Sequence, residues 1–224
     1  MKIISVGGSI IIPKTGFDIP FLKKFRELIL NRVKKGEKFV LVIGGGATCR
    51  QYQNAAREVV NLNSDALDNL GILVTHLNAN FVRFLFGKYA HDEIVTNPTK
   101  KIKTAKPIII AGGWKPGCST DKDAVLFAKT YGAKELVNLS NIDYIYESDP
   151  RANPNARRLE KLTWEQLTKI VGTKWSPGAN LPFDPMAAKE AKRLKLTVKF
   201  AKGTDLASFE NVLNNKAYQG SLIK

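Results

Sequence analysis

Three short apolar runs in this sequence each lead directly into glycines. The runs end at Val6-Gly7-Gly8-Ser9, at Ile43-Gly44-Gly45-Gly46 and at Ala111-Gly112-Gly113. Glycine adopts positive φ readily and lets an anion approach backbone N–H groups without meeting a Cβ atom. One such turn is weak evidence, because tight strand-to-helix turns also need glycine for packing. Three together predict a site that binds phosphate groups.

Further residues near these glycines have suitable chemistry. Arg50 follows the second glycine cluster by about one helical turn, where a guanidinium can bind a phosphate bidentately. Ser119 and Thr120 offer hydroxyl and backbone donors at the start of a predicted helix. The two common phosphate motifs, G-x-x-x-x-G-K-[ST] and G-x-G-x-x-G, are absent, which argues against a P-loop kinase.

The elements that position these residues follow from hydrophobic periodicity. Short apolar runs alternate with segments of helical period, which predicts an α/β fold, a three-layer α-β-α sandwich with a mainly parallel central sheet. Strands are predicted at 3–6, 39–43 and 107–111, and helices at 21–33, 65–86, 121–131, 163–171, 185–194 and 205–214. Ser64-Asp65 is read as the cap of the longest helix, and 172–182 as a long loop. In a parallel sheet the glycine turns meet at one edge, where ligands of such sheets bind.

Composition bounds the class of protein. A chain of 224 residues with 44% hydrophobic content fits a single α/β domain. No stretch approaches about 20 uninterrupted apolar residues, and the start MKIISVGGSI reaches glycine too early for a secretory signal, so a cytoplasmic protein without membrane contact is expected. Cys49 and Cys118 show no metal-ligand spacing, so reduced thiols and no metal site are expected.

The charge is strongly positive. The chain has 35 basic and 20 acidic side chains, a net charge of +15, which attracts polyanions. The basic residues are spread in short runs without interleaved aromatic residues, a pattern that argues against dedicated nucleic-acid binding.

Five motifs in chain order carry a family resemblance. They are GGGATCR at 44–50, DNLG at 68–71, GGWKPGCSTD at 112–121, NIDYIYESDP at 141–150 and DPMAAK at 184–189. They resemble the uridylate (UMP) kinases of the amino acid kinase family, especially the archaeal branch, over nearly the whole chain. Isopentenyl phosphate kinases carry a histidine near the first motif, and this sequence has none there. The resemblance implies one amino acid kinase-like domain over 1–224, with about 1–130 binding the phosphate acceptor and 131–224 binding ATP.

The resemblance also implies contact residues. For ATP these are Ser5, Val6, Gly7, Gly8, Ser9, Gly46 and Arg50 at the phosphates, and Ser140, Asn141, Tyr146 and Asp149 at the adenosine. For UMP they are Gly45, Asp68, Trp114, Lys115, Pro116, Gly117, Cys118, Ser119 and Thr120, with Asp68 accepting from ribose hydroxyls. Without the resemblance, Tyr146 reads as a sheet-surface aromatic and Asp149, which precedes a proline, as a turn residue.

The implied reaction moves the terminal phosphoryl group of ATP to a phosphate oxygen of UMP, in pyrimidine nucleotide biosynthesis. It needs no general base, which agrees with a chain that has only two histidines. Backbone donors, Arg50 and Mg²⁺ bound through ATP phosphates would share the charge. Many family members have a lysine where this chain has Ser5, and Lys115 and Lys189 are the candidates to replace it. Asp184 is read equally as a catalytic residue that orients cations and as a helix cap, and Asp121 as a cap.

Other functions stay open on the sequence alone. A relative could phosphorylate isopentenyl phosphate or another small molecule. The absence of the first-loop lysine also fits a non-catalytic nucleotide-binding protein with a regulatory or storage role, and a basic nucleic-acid-binding protein is the third reading. The resemblance implies a homohexamer.

Overall fold

A seven-stranded sheet forms the middle layer of the molecule. The computed structural model describes residues 1–179 and 181–224. The strands, numbered along the chain, are β1 (Lys2–Val6), β2 (Phe39–Ile43), β3 (Ile108–Ala111), β4 (Glu135–Ser140), β5 (Ile145–Tyr146), β6 (Arg158–Leu159), β7 (Lys161–Leu162), β8 (Thr197–Lys202) and β9 (Gly220–Ile223). The helices are α1 (Gly8–Ile11), α2 (Ile19–Lys34), α3 (Gly46–Val59), α4 (Ser64–Phe86), α5 (Thr120–Tyr131), α6 (Trp164–Val171), α7 (Pro185–Arg193) and α8 (Leu206–Leu213).

The strand order across the main sheet is β3-β2-β1-β4-β8-β9-β7, and β5 and β6 form a separate hairpin. All neighbours in the main sheet are parallel except β8 and β9. Val6, the last residue of β1, pairs with Ile43 of β2 and with Leu139 of β4, and Ala111 pairs with Val42. The carboxyl ends of β1, β2, β3 and β4 therefore share one edge. The prediction that the three glycine turns meet there is confirmed.

Successive residues of the central strands point to opposite faces of the sheet. Val40 and Val42 pack into one core with α5, α6 and α7, where Phe127 is a large buried member. Leu41 and Ile43 pack into the other core with α2, α4 and α8. Because both faces of β2 are covered, a polar residue in it would lose its water without gaining a partner. The predicted α/β three-layer sandwich is confirmed.

The first turn of α4 differs from the prediction. The cap is Asn63, whose side chain accepts from the backbone N–H of Ala66 at 2.8 Å. Ser64 and Asp65, the predicted cap, already lie inside the helix. The reason is local: all three residues are good caps, and the extended backbone of Asn63 is what brings a side chain over the free N–H groups.

The first turns of α5 and α7 show which of Asp121 and Asp184 caps a helix. Ser119 caps α5 and accepts from the backbone N–H of Asp121, so the prediction that Asp121 caps this helix is wrong. Asp184 does cap α7, since its side chain accepts from the backbone N–H groups of Met186 and Ala187. Asp121 is thereby free to make tertiary contacts.

Helix α4 is unusually apolar on both sides. With the 3₁₀ turn that follows it, α4 spans Ser64–Tyr89. Among the described residues, this is the one helix that is long and apolar enough to cross a membrane, and core helices of soluble proteins can have the same length and composition. Its inner side packs through residues such as Val82 into the core above β2 and β3. Its outer side exposes Leu73, Leu77 and Phe84, which are 63%, 64% and 70% accessible. These three form a stripe that the monomer leaves uncovered.

Candidate functional site

Two adjoining cavities open at the sheet edge where the glycine turns meet. The strand-end cavity, of about 180 Å³, is bounded by the turns after β1, β2 and β4 and by the starts of α5 and α7. The α4 cavity, of about 150 Å³, is bounded by α3, α4, the 113–120 loop and the loop after α6. They share a wall formed by Gly45, Gly46, Arg50, Ser119, Thr120, Trp175 and Ala179. Two ligands bound side by side would therefore meet at Arg50 and the start of α5.

The strand-end cavity contains most of the residues predicted to bind ATP. They are Ser5, Gly7, Gly8, Ser9, Gly46, Arg50, Ser140 and Asn141, and Asp184 joins them. Val6 lies fully buried within β1. Tyr146 and Asp149 line neither cavity. The hydroxyl of Tyr146 donates to Asp143 at 3.0 Å, and Asp149 is exposed and paired with Arg151.

The first two glycine turns are interlocked. A Cβ atom on Gly8 would lie 2.3 Å from the carbonyl oxygen of Gly44 and 2.3 Å from the amide nitrogen of Gly46. Gly46 itself has φ of +64°, which favours glycine. Arg50 reaches across from α3 and donates to the Ser9 hydroxyl at 3.3 Å. Backbone contact between the turns thus shapes a cradle of N–H groups with a guanidinium beside it.

The α4 cavity contains most of the residues predicted to bind UMP. They are Gly45, Asp68, Trp114, Lys115, Cys118, Ser119 and Thr120. Pro116 and Gly117 do not line it, although the Gly117 N–H donates to Asp68 at 2.7 Å. The Lys115 ammonium lies 4.3 Å from the centre of the Trp114 ring. Lys189, the other lysine candidate, is exposed on α7 and lines neither cavity.

Ser5 and Asp121 belong to a polar network at the floor of the strand-end cavity. The Ser5 hydroxyl and the Asn138 amide both donate to Asp121 Oδ1, at 2.8 and 2.7 Å. The backbone N–H of Ser119 donates to Asp184 Oδ2 at 2.5 Å. Burial and, to a lesser extent, the nearby Asp184 carboxylate raise the pKa of Asp121 to about 6. Ser5 therefore binds the carboxyl group of Asp121, at the position where many family members have a lysine.

Two buried oxygens of the α4 cavity have no hydrogen-bond partner in the described part of the chain, and no sequence pattern predicted either. Asp123, 2% accessible, accepts the Trp114 N–H through Oδ2 at 3.1 Å, but its Oδ1 has no hydrogen bond with any described residue. Gln53, also 2% accessible, donates to the Leu67 carbonyl, while its Oε1 likewise accepts from none of the residues that the structure describes. A buried acceptor without a donor is costly. Donor groups of a ligand would relieve that cost.

The two cysteines line the same cavity and are unpaired. Burial and, to a lesser extent, the Asp123 carboxyl group raise the pKa of the Cys118 thiol to about 12. Burial also raises the pKa of Cys49, against the lowering effect of Arg50. Both thiols are protonated at neutral pH, so neither is suited to act as a nucleophile.

Trp175 is the main feature of the site that the sequence did not indicate. It lines both cavities and comes from the loop predicted at 172–182. Residue 180 lies outside the described residues, and the rest of this loop forms no helix or strand. Trp175 contacts Asp68, which lies 107 residues earlier in the chain. No local sequence pattern around a tryptophan in a polar loop predicts such a contact.

The chain is similar to known proteins over its whole length. The model of the amino acid kinase family matches residues 1–202. The chain is 34% identical to a uridylate kinase of Methanospirillum hungatei, over 99% of this chain and 93% of that one, and 33% identical to one of Thermococcus kodakarensis, over the whole of both. The crystal structure of a uridylate kinase from Archaeoglobus fulgidus matches all of both chains with a TM-score of 0.82 at 26% identity. The chain therefore belongs to the amino acid kinase family.

Proposed function

We propose that this chain is an ATP-dependent nucleoside-monophosphate kinase that transfers the terminal phosphoryl group of ATP to UMP, giving ADP and UDP. The observation that carries the proposal is the pair of adjoining cavities with Arg50 and the start of α5 in their common wall. A direct transfer between two nucleotides requires them to meet phosphate to phosphate. The shared wall provides such a meeting point, in a fold that uridylate kinases also have.

ATP occupies the strand-end cavity in this proposal. The interlocked turns around Gly8 and Gly46 offer backbone N–H groups to its phosphates, and Arg50 neutralises part of their charge. Ser140 and Asn141, at the end of β4, are placed to contact the nucleoside. Contacts from Tyr146 and Asp149 stay a prediction, because neither lines the cavity. The division into an acceptor half (1–130) and an ATP half (131–224) is part of the proposal, and both halves share one sheet.

UMP occupies the α4 cavity. Its phosphate lies at the start of α5, where Ser119 and Thr120 present N–H and hydroxyl groups and the helix dipole favours an anion. Asp68 accepts from the ribose hydroxyls. The unpaired oxygens of Gln53 and Asp123 are available to the N–H group of the base. All of these groups lie on segments that the fold brings to one place.

The chemistry needs alignment and charge rather than a base. The second pKa of a phosphomonoester is about 6, so the attacking phosphate of UMP is largely a dianion at neutral pH. Arg50 and Lys115 are the cationic side chains that line the two cavities among the described residues, and Arg50 is the one that borders both. Arg50 therefore stabilises the transferring group, and Lys115 is better placed than Lys189 to supply the second positive charge. Asp184 keeps the start of α5 in place through the Ser119 N–H.

Mg²⁺ fits this site as a companion of ATP rather than as a resident ion. No three acidic, histidine or cysteine side chains in the described part of the chain are arranged to hold a metal. The oxygens of Asp121 and Asp184 that face the strand-end cavity already accept protein hydrogen bonds. Mg²⁺ commonly keeps several waters and binds substrate phosphates with few protein ligands. When bound, it would neutralise phosphate charge, with Asp121 and Asp184 facing its water shell.

The cellular setting is proposed on the resemblance and one surface feature. We place the enzyme in the cytoplasm, in pyrimidine nucleotide biosynthesis, as a homohexamer. The exposed stripe of Leu73, Leu77 and Phe84 supports self-association, since contiguous apolar surface commonly marks an interface. Light scattering after size-exclusion chromatography is expected to give a hexamer mass, and a monomer mass would contradict this assembly.

The activity is tested with one panel of acceptors. ADP production from ATP and Mg²⁺ is measured by a coupled assay with UMP, CMP, dUMP and isopentenyl phosphate. UMP is expected to give the highest kcat/KM. A preference for isopentenyl phosphate would make the protein a different small-molecule kinase of the same fold. Tight binding of both nucleotides without ADP production would point to a regulatory or storage role.

A further inference from the structure

Trp175, Gly178 and Ala179 of the loop after α6 line the α4 cavity, and hydrogen bonds join this loop to α3 and α4. The indole N–H of Trp175 donates to Asp68 Oδ2 at 2.9 Å and is 3.3 Å from Oδ1. Two residues further on, the carbonyl oxygen of Pro177 accepts from Arg57 of α3 at 3.2 Å. The loop belongs to the C-terminal part of the chain, whereas Asp68 and Arg57 belong to the N-terminal part. The contact therefore links the two parts at the candidate site.

The Asp68 carboxylate is held from two directions. Its Oδ2 accepts from the Gly117 N–H at 2.7 Å and from Trp175. Within residues 1–179 and 181–224, its Oδ1 has only the longer contact with the same indole. A carboxylate oxygen can accept about two hydrogen bonds, so Oδ1 keeps capacity for a further donor. Oδ2 of Asp68 therefore has two donors already, whereas Oδ1 can accept a hydrogen bond from a ligand in the α4 cavity.

Trp175 stands out from its own loop. The neighbouring Lys174 and Ser176 are exposed, whereas Trp175 is half-buried and turned to the cavity. A tryptophan used only to cover the cavity would not need its N–H directed at a carboxylate. Asp68 is itself 6% accessible, and a buried carboxylate that lost one of its donors would be both less stable and less fixed in orientation.

We propose that Trp175 is a positioning residue of the acceptor site, which fixes Asp68 so that its free oxygen meets the ribose hydroxyls of the acceptor. This inference rests on the proposed function, because it assumes that the acceptor ribose binds in the α4 cavity. In this proposal the indole acts through Asp68, to which it donates, and not on the reacting atoms. Its contribution therefore depends on whether the acceptor has hydroxyl groups for Asp68 to bind.

The test compares two enzymes with two acceptors. Trp175→Phe keeps an aromatic ring at the cavity and removes the N–H donor together with the smaller ring of the indole; the lost ring volume affects both acceptors, whereas the lost donor affects only the acceptor with hydroxyl groups. KM and kcat are measured for the wild type and the variant with UMP and with 2′,3′-dideoxy-UMP, which has neither ribose hydroxyl. We expect Trp175→Phe to raise KM for UMP roughly tenfold, the usual scale for a lost hydrogen bond to a charged group, and to leave kcat and the KM for ATP within about twofold. KM for the dideoxy acceptor is expected to change far less, because only the lost ring volume affects it.

The matched control loosens the same loop without touching Asp68. Arg57→Ala removes the donor to Pro177 on an exposed side chain and is expected to affect both acceptors equally. Equal effects of Trp175→Phe on the two acceptors, or no effect on either, would overturn the inference, as would an acceptor-selective effect of Arg57→Ala. Failure of the wild type to phosphorylate UMP would instead overturn the proposed function, and the two failures are thus distinguishable. Thermal unfolding of each variant checks that it is folded.

Discussion

The strand-end cavity and the α4 cavity are neighbours, yet they are built in different ways. The strand-end cavity is built around two backbone turns that follow directly on β1 and β2, and glycines at 8 and 46 let these turns touch above a floor of polar side chains. The α4 cavity lies between helices, and side chains of α3, α4, α5 and two long loops line it. A backbone cradle suits a group common to many ligands, such as phosphate. Side chains from several elements suit discrimination among ligands.

Substitution of Arg50, which lines both cavities, is expected to have the largest effect on activity. Arg50→Ala is expected to lower kcat/KM for UMP about 10²- to 10³-fold, because a bidentate donor to the transferring group is lost. Arg50→Lys keeps the charge without the fork and should recover only part of the loss. Steady-state kinetics with both substrates varied measures this. If Arg50→Ala lowers kcat/KM for UMP less than about fivefold, Arg50 does not stabilise the transferring group.

The backbone character of the strand-end cavity is tested at Gly8. Gly8→Ala places a Cβ against the backbone of both turns, so the turns must separate, and we expect a loss of about 3 kcal/mol in the free energy of unfolding together with loss of ATP binding. Gly36→Ala is the control: Gly36 has φ of +85° and no atom within 4 Å of an added Cβ. It should cost only about 1 kcal/mol and leave ATP binding intact.

Urea denaturation and titration calorimetry with an ATP analogue give the two quantities. Equal costs for the alanine variants at 8 and 36 would mean that contact between the turns does not shape the cavity.

The two candidate lysines differ in position: Lys115 lines the α4 cavity, and Lys189 is exposed on α7. Lys115→Ala is expected to lower kcat/KM for UMP about tenfold, since this ammonium borders the α4 cavity. Lys189→Ala is expected to change it less than about twofold, because Lys189 lines neither cavity. Steady-state kinetics of the two variants decide between them. Near-normal turnover in both would show that neither lysine replaces the family's first-loop lysine.

The buried carboxyl group of the α4 cavity makes stability depend on pH. Burial raises the pKa of Asp123 to about 7, with the nearby Asp184 and Asp121 adding to the effect and Lys122 opposing it. The folded state therefore holds this proton more tightly than the unfolded state. The stabilisation is fully present below about pH 4 and is lost as pH rises through about 7. Asp121, with a pKa of about 6, acts in the same direction.

Asp123→Asn should accordingly reduce the fall in unfolding free energy between pH 4.5 and 7.5 by roughly 1–3 kcal/mol. Urea denaturation at the two pH values measures the fall. Asp149→Asn is the control, because the pKa of exposed Asp149 is about 2 and its titration lies below this range. An unchanged fall in the Asp123 variant would show that this carboxyl group is not shifted in the folded state.

The same contrast explains what could be predicted from the sequence. The strand-end cavity depends on local signals, namely unbroken apolar runs at 39–43 and 107–111 and the glycines after them. These signals predicted the strands and their shared edge correctly, and the phosphate site at that edge stays a prediction. The motifs of the family then located Asp68 and the 114–120 loop. Each of these features is written in a few consecutive residues.

The remaining features depend on contacts between distant segments. Asp121 was read as a helix cap because it stands at a helix start, but Ser119 takes that role, and Ser5, 116 residues earlier, donates to Asp121. Trp175 and Gln53 have no local pattern that points to a site. Only the packing of the loop after α6 on α3 and α4 brings them there, and single-sequence periodicity carries no information about such packing.

In the proposed mechanism, the strand-end cavity holds the phosphoryl donor and the α4 cavity holds the acceptor. A crystal structure with UMP and a non-hydrolysable ATP analogue would locate both ligands. We expect the analogue's phosphates on the turns at Gly8 and Gly46, the UMP ribose on Asp68, and a UMP phosphate oxygen about 3–3.5 Å from the terminal phosphorus beside Arg50. Ligands in the opposite cavities, or phosphates that do not meet at Arg50, would contradict the account.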